Sequence, residues 1–319
     1  MRLSDLIRLK NNLKSINLDL VRQQTEALDG QLSRLFSINM HMSYRDQLGE
    51  KIKDCDMIEN SLSGIDTKIQ ELLKQIDQEV AEITKDYMAR GYMIKEFYGS
   101  DYTDVTTERN DRLMPISDET RSEVIVRLRG YTDWHYPVLE IGPGDGIWTE
   151  HLVAGDPLYI LDRHQEFIDN TLNKFNGVYR NRIRPYLTGP HGRVHEEDMS
   201  MLPENQFGFI FSWNVFNYMP LKETITMLQG SYRCLRPGGT MMFSYNNCDI
   251  AQCAEYVEQG FKSWMPGGLL EKTCEELGFE IIVNRSIEET VHWIEIRKPG
   301  DLATTKHHQV LGKIINVTT

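Results

Sequence analysis

Apolar and polar residues follow two different periods along this chain, and the change falls near residue 95. In the first part Leu6, Leu9, Leu13, Ile16 and Leu20 recur at alternating steps of three and four. After a polar break near Gly30 the pattern returns in Cys55, Ile58, Leu62, Ile65, Ile69, Leu72, Ile76 and Ile83, with Glu79 interrupting it. That spacing gathers its members on one helix face, and a seam kept over about four heptads predicts a coiled coil. The first proline is Pro115, so nothing upstream forbids long helices. The outer faces carry mixed charge, as solvated faces do. Two helices with a connector around residues 36 to 48 either fold back as an antiparallel hairpin or pair with copies in another chain. Self-association is the expectation, because a thin seam buries little unless another helix covers it. An ordinary helical subdomain packed on the rest of the chain is the plainer alternative.

Residues 92 to 130 read as an aromatic-rich bridge, with Tyr92, Phe97, Tyr98 and Tyr102, and Tyr131 just beyond. Ser117 to Arg129 reads as a helix capped by Ser117 or Asp118. From there on, short apolar runs alternate with helical stretches. Val138–Ile141, Leu158–Asp162, Phe209–Ser212, Thr240–Tyr245, Leu277–Val283 and His292–Ile296 read as strands. Strands alternating with helices predict an α/β layer with a mainly parallel sheet.

The first strand runs into Gly142-Pro143-Gly144-Asp145-Gly146, with a helix expected over Ile147–Val153. Glycines at such a turn let bare backbone approach a ligand at the carboxyl end of the strand. The dinucleotide fingerprint G-x-G-x-x-G is not met, since Ile147 holds its third glycine position. No phosphate-cradling G-x-x-x-x-G-K-[ST] run occurs either. Glu140, at the strand's end, would repel a pyrophosphate but suits a cationic ligand. Asp162 ends the second strand 22 residues later, close to the spacing at which an acid meets a ribose hydroxyl pair.

In these residues the chain resembles the class I S-adenosylmethionine-dependent methyltransferases. The match continues through Glu197-Asp198-Met199-Ser200-Met201-Leu202-Pro203, the turn Leu235-Arg236-Pro237-Gly238-Gly239 before the fifth strand, and the last two strands. It covers roughly residues 125 to 298. The resemblance implies a Rossmann-like seven-stranded sheet with its last strand antiparallel, and S-adenosylmethionine as cofactor. Glu140, Gly142, Gly144 and Gly146 would then hold the aminoacyl and ribose side, Asp162 the ribose hydroxyls, and Asp198 and Met199 the adenine, with Arg163 also among the cofactor-binding residues. Trp213, directly after strand four, is placed to touch the cofactor, with core packing as its plainer role. One departure is Gly208, where the family often has Asp.

Methyl transfer needs an acceptor lone pair aligned with the sulfonium methyl, water kept out, and a base where the acceptor carries a proton. The candidates for the acceptor side are His195 in the loop before strand four, Asn214 and Tyr218 after it, and Asn246 after strand five. A lone loop histidine is more often exposed than catalytic, and the two asparagines serve equally well as helix caps. No metal is expected, since no Cys/His/Asp cluster has ligand spacing.

Formal net charge is −12. Residues 1–95 carry 14 Lys+Arg against 15 Asp+Glu, and the remainder 21 against 32. The acidity therefore lies in the catalytic part, where it opposes a phosphate backbone. The stretch Trp213 to Pro220 also lacks the Pro-Pro step of the amino-methylating DNA enzymes, and no nucleic-acid partner is expected. Cys55, Cys234, Cys248, Cys253 and Cys274 form no C-x-x-C pair, which fits free thiols in a reducing cytoplasm. No apolar run is long enough to span a membrane.

The expected organisation is a helical coiled-coil region (1–95), a bridging segment covering the acceptor (96–130), a methyltransferase domain (131–298) and a short tail (299–319). The expected function is methyl transfer to a small molecule or glycan terminus, on oxygen, by a cytoplasmic homo-oligomer. The alternatives are a protein methyltransferase whose helical arm recruits its substrate, and a coiled-coil scaffold with a cofactor-binding but non-catalytic domain.

Overall fold

The computed structural model describes residues 2–37, 42–89, 116–188 and 199–302. The chain forms two compact units, divided between Asp86 and Tyr87.

The first unit is helical: α1 (Leu3–Lys14), α2 (Asp19–Phe36) and α3 (Met42–Ala89). α1 and α2 return along α3 in the opposite sense. The Arg45 guanidinium lies 5.0 Å from the centre of the Phe36 ring, and Lys10 is paired to Asp77 at 2.6 Å. Leu3, Leu6 and Ile7 from α1 and Cys55, Leu62 and Ile76 from α3 are buried. Within one chain the seam is thus the hairpin form of the two arrangements. Three details differ from the sequence reading. The run from Leu6 to Leu20 is broken, because the Asn17 side chain accepts the Asp19 N–H at 3.0 Å and replaces a helical backbone bond. α2 passes straight through Gly30. α3 already begins at Met42, inside the expected connector.

The second unit contains a seven-stranded sheet of order β3-β2-β1-β4-β5-β7-β6. Its strands are β1 (Val138–Ile141), β2 (Leu158–Asp162), β3 (Ile183–Leu187), β4 (Phe207–Ser212), β5 (Leu235–Tyr245), β6 (Glu280–Glu288) and β7 (Val291–Arg297). β1 to β5 are parallel and β7 is antiparallel to both neighbours. The Rossmann-like reading holds. β1, β2 and β4 are buried throughout, as strands covered on both faces must be.

The helices are α4 (Asp118–Tyr131), α5 (Gln165–Asn173), α6 (Gly177–Arg180), α7 (Leu221–Cys234), α8 (Ala251–Glu258) and α9 (Gly267–Glu276). One face of the sheet packs on α4 and α5 through Val124, Leu128, Ile168 and Leu172. The other packs on α7 and α9 through Met227, Leu228, Leu270 and Cys274. α4 is capped by the Ser117 hydroxyl, which accepts from the Thr120 N–H. It is pinned to β7 where Arg127 Nη1 and the Tyr131 hydroxyl donate to buried Glu295.

Local differences have local causes. The helix expected over Ile147–Val153 is a single 3₁₀ turn, Thr149–His151. The chain must turn back at once, since Gly155 packs so tightly on Val138 that a Cβ there would meet it at 2.2 Å. The Leu-Arg-Pro-Gly-Gly run bulges out of β5, and pairing with β4 resumes only at Thr240. Gly208 stands where a Cβ would lie 2.7 Å from Tyr136 Cβ, which accounts for the departure from Asp. All five cysteines are free and buried. No helix among the described residues is long and apolar enough to cross a membrane.

Candidate active site

The glycine turn is held from behind and open in front. Gly142, Gly144 and Gly146 have φ of +72°, +56° and +78°, the left-handed region that side chains disfavour. Gly142 donates to the Leu161 carbonyl at 2.8 Å, which ties the turn to β2. A Cβ on Gly142 would lie 2.3 Å from Val215, and one on Gly146 would press on Thr171. A Cβ on Gly144 would meet nothing within 4 Å. Its carbonyl accepts from the Thr171 hydroxyl at 3.0 Å, so the open side is still firmly placed.

Two carboxyls flank this opening at the ends of β1 and β2. Glu140 is 1% exposed and accepts from the Thr149 hydroxyl at 2.6 Å. Burial, with Asp162 adding to it, pushes its carboxyl up to about 8. Asp162 accepts the His164 N–H at 2.9 Å. Burial pushes it up to about 6, against the opposing pull of the His164, Arg163 and Gly144 backbone N–H groups. Arg163 itself donates from Nε to His164 Nε2 at 3.0 Å. Two buried acids held beside an open stretch of bare backbone fit a cationic nucleoside whose ribose hydroxyls donate to Asp162. S-adenosylmethionine has that character.

β4 delivers the next group. Trp213 is buried in an aromatic cluster, with ring centres 5.4 Å from Trp148, 6.2 Å from Phe211 and 6.1 Å from Trp293. Asn214 has φ of +58°, a conformation asparagine tolerates. Its N–H donates to the Ser244 hydroxyl at 2.7 Å, and Ser244 donates to Asn217 Oδ1 at 3.0 Å. The Ser263 N–H and hydroxyl both donate to the Asn217 carbonyl, closing the turn. Val215 in the same turn backs Gly142, so the ends of β1 and β4 share one wall. Tyr218 follows in a 3₁₀ turn, and burial pushes its hydroxyl up to about 12. It stays protonated at neutral pH, a state that can donate a hydrogen bond but cannot take a proton.

Asn246 is fully buried. Its Nδ2 donates to the carbonyls of Cys253 at 3.1 Å and Ser263 at 3.0 Å, and to Cys248 Sγ at 3.3 Å. Nδ2 thus supports the turn between β5 and α8, while Oδ1 is buried without a hydrogen-bond partner. Met199 is also buried. Its thioether lies where a Cβ on Gly230 would strike it, and its carbonyl accepts from Arg233. Its side chain is therefore committed to the core. Asp198 and His195 lie outside the described residues.

Several supporting residues carry no local signal in the sequence. Thr149, Thr171, Ser244, Asn217 and Ser263 are common polar residues far in sequence from the groups they hold. Lys262 and His292 are a further buried pair near the end of β5. Lys262 lies 4.6 Å over the Tyr256 ring, and burial lowers its affinity for a proton. Burial, with Lys262 adding to it, pushes His292 down to about 4.

A family model described as a methyltransferase domain matches residues 108–283. No curated protein matches the chain. Among solved structures, an O-methyltransferase family protein from Burkholderia thailandensis is similar in fold, with a TM-score of 0.51 at 11% identity. That similarity covers 66% of this chain and spans 64% of the Burkholderia protein. The N-methyltransferase NodS from Bradyrhizobium japonicum, solved with S-adenosyl-L-homocysteine, has a TM-score of 0.43 at 16% identity, covering 65% of this chain and 96% of its own. With half of the sequence matched by that model, the chain belongs to the methyltransferase-domain family, and its α/β unit is an S-adenosylmethionine-dependent methyltransferase domain.

Proposed function

We propose that the chain methylates a hydroxyl oxygen on a small molecule or a glycan terminus. The cofactor half of this reading rests on one observation, the pair of buried carboxyls Glu140 and Asp162 beside the open side of Gly144. The cofactor supplies an activated sulfonium methyl. Glu140 offsets positive charge, Asp162 orients the ribose through its hydroxyls, and the glycine turn lets the ligand lie against the backbone. Asp198 is assigned to the adenine amino group.

On the acceptor side, Asn214 and the protonated Tyr218 are neutral hydrogen-bonding groups at the end of β4, and they suit a polyhydroxylated acceptor better than a phosphate backbone. The acidic balance of residues 96–319 supports the same choice. Orientation of the acceptor oxygen carries most of the rate enhancement in this reading. His195 is the proposed base that takes the hydroxyl proton, and Asn246 is assigned a positioning role through the turn it holds.

The test is transfer of a labelled methyl group from S-adenosylmethionine to a panel of hydroxylated small molecules, oligosaccharides, amines and proteins. Label on a hydroxylated small molecule or sugar supports the proposal. Label only on nitrogen or only on protein overturns it. Cofactor binding with no transfer to any member of the panel favours the scaffold reading.

A further inference from the structure

The helical unit exposes more ordered apolar surface than its own packing uses. In α3, buried Cys55, Leu62 and Ile76 fall on seven-residue steps or multiples of them. A second run, Ile58, Ile65 and Leu72, keeps the same step three residues further on and is 44%, 48% and 40% exposed. α2 repeats the feature with Val21, Leu28 and Leu35 at 43%, 48% and 43%. Leu9 in α1 and Ile16 just after it continue the series.

A helix with one neighbour needs a narrow seam of two positions per heptad, whereas a helix inside a bundle carries a third. Both arms of this hairpin carry that third position. A seven-residue repeat that does not drift requires a covering partner that runs along the helix axis for the length of the stripe. From Ile58 to Leu72 that length is about 21 Å.

A stripe present on both arms is self-complementary, which is what a two-fold interface requires. With Leu20 and Met57 included, its exposed part comes to on the order of 800 Å², the share each partner contributes to a standard stable interface. Charge does not oppose the pairing, since residues 1–95 carry 14 basic against 15 acidic side chains. We propose that two copies of this chain pair through the stripe on α2 and α3, their hairpins forming an antiparallel four-helix bundle. The proposal is independent of the acceptor assigned above.

The experiment is light scattering of the full chain after gel filtration, with sedimentation equilibrium over a range of concentrations. The expected mass is that of two chains. The double variant Leu28→Glu/Ile65→Glu alters exposed positions only, so it is expected to keep its helical circular dichroism and run as one chain. The control Val126→Glu, at an exposed apolar position on α4, is expected to remain paired. Mixing the Glu double variant with Leu28→Lys/Ile65→Lys is expected to restore a two-chain species. A single-chain mass for the unaltered protein, a mass above two chains, or a Glu variant that stays paired overturns the proposal. If the Glu variant loses helix content, the mixing arm decides, and absence of the mixed pair overturns it.

Discussion

At the residue scale the site is governed by two acids whose protons are held by burial. Glu140 keeps its proton up to about 8 and Asp162 up to about 6. A cationic cofactor favours the carboxylate forms, so binding releases protons and affinity rises with pH from 6 to 8. The rise is at most about tenfold per pH unit for one coupled proton. Calorimetry in buffers of different ionisation enthalpy measures both the affinity and the protons released. Glu140→Gln keeps an acceptor for Thr149 and removes the titration, so its affinity is expected to be lower at pH 8 with a flatter profile. The stability sign is opposite. A carboxyl raised from 4.5 to about 8 by the fold costs stability as pH rises through that window. The Gln variant should therefore be more stable to unfolding than the parent at pH 8, by roughly 1–3 kcal/mol, with the gap closing toward pH 5.

The glycine turn separates folding from binding at the same scale. Gly142→Ala would drive a methyl into Val215 at 2.3 Å and is expected to destabilise the domain. Gly144→Ala meets no atom within 4 Å, and its cost is the strain of φ +56°, about 1–2 kcal/mol. It is expected to fold yet lose cofactor affinity, because the added methyl occupies the ligand's side of the turn. Melting curves and cofactor titration on the two variants check this pair of outcomes.

At the scale of elements, what could be read from the sequence depended on contact distance along the chain. Apolar runs located β1, β2 and β4 to within about two residues, because a strand covered on both faces is largely apolar. Ser117 was readable as a cap because the group it serves is three residues away. The helix expected after Gly146 was not formed, because its fate depends on how closely Gly155 meets Val138. Thr149 under Glu140, and the Ser244–Asn217–Ser263 links under Asn214, were invisible for the same reason. The serine and asparagine links join segments that only the fold brings together, and the Thr149 bond spans the nine residues of the glycine turn. The interruption at Gly30 misled in the other direction, since α2 runs on through it. Gly30 and Gly64 lie inside helices with open space where a Cβ would go. Gly30→Ala and Gly64→Ala are each expected to stabilise the helical unit by about 0.5–1 kcal/mol. Thermal melts followed by circular dichroism read the shift.

At the scale of the whole molecule, the candidate site is confined to one of the two units. Glu140, Gly142 to Gly146, Asp162 and the turn after β4 all belong to the unit that begins at Tyr87. Their supports, Thr149, Thr171, Val215 and Ser244, belong to it as well. The family match begins at residue 108 and leaves the hairpin outside. Removing residues 1–86 is therefore expected to leave cofactor affinity within about twofold of the parent, a change well below the tenfold that 1.4 kcal/mol produces. Titration calorimetry of the truncated chain with S-adenosyl-L-homocysteine gives the comparison. A large loss would mean that the hairpin shapes the cofactor pocket. An unchanged affinity with lost transfer would assign the hairpin to the acceptor, and an unchanged affinity with intact transfer would leave it the role of pairing alone.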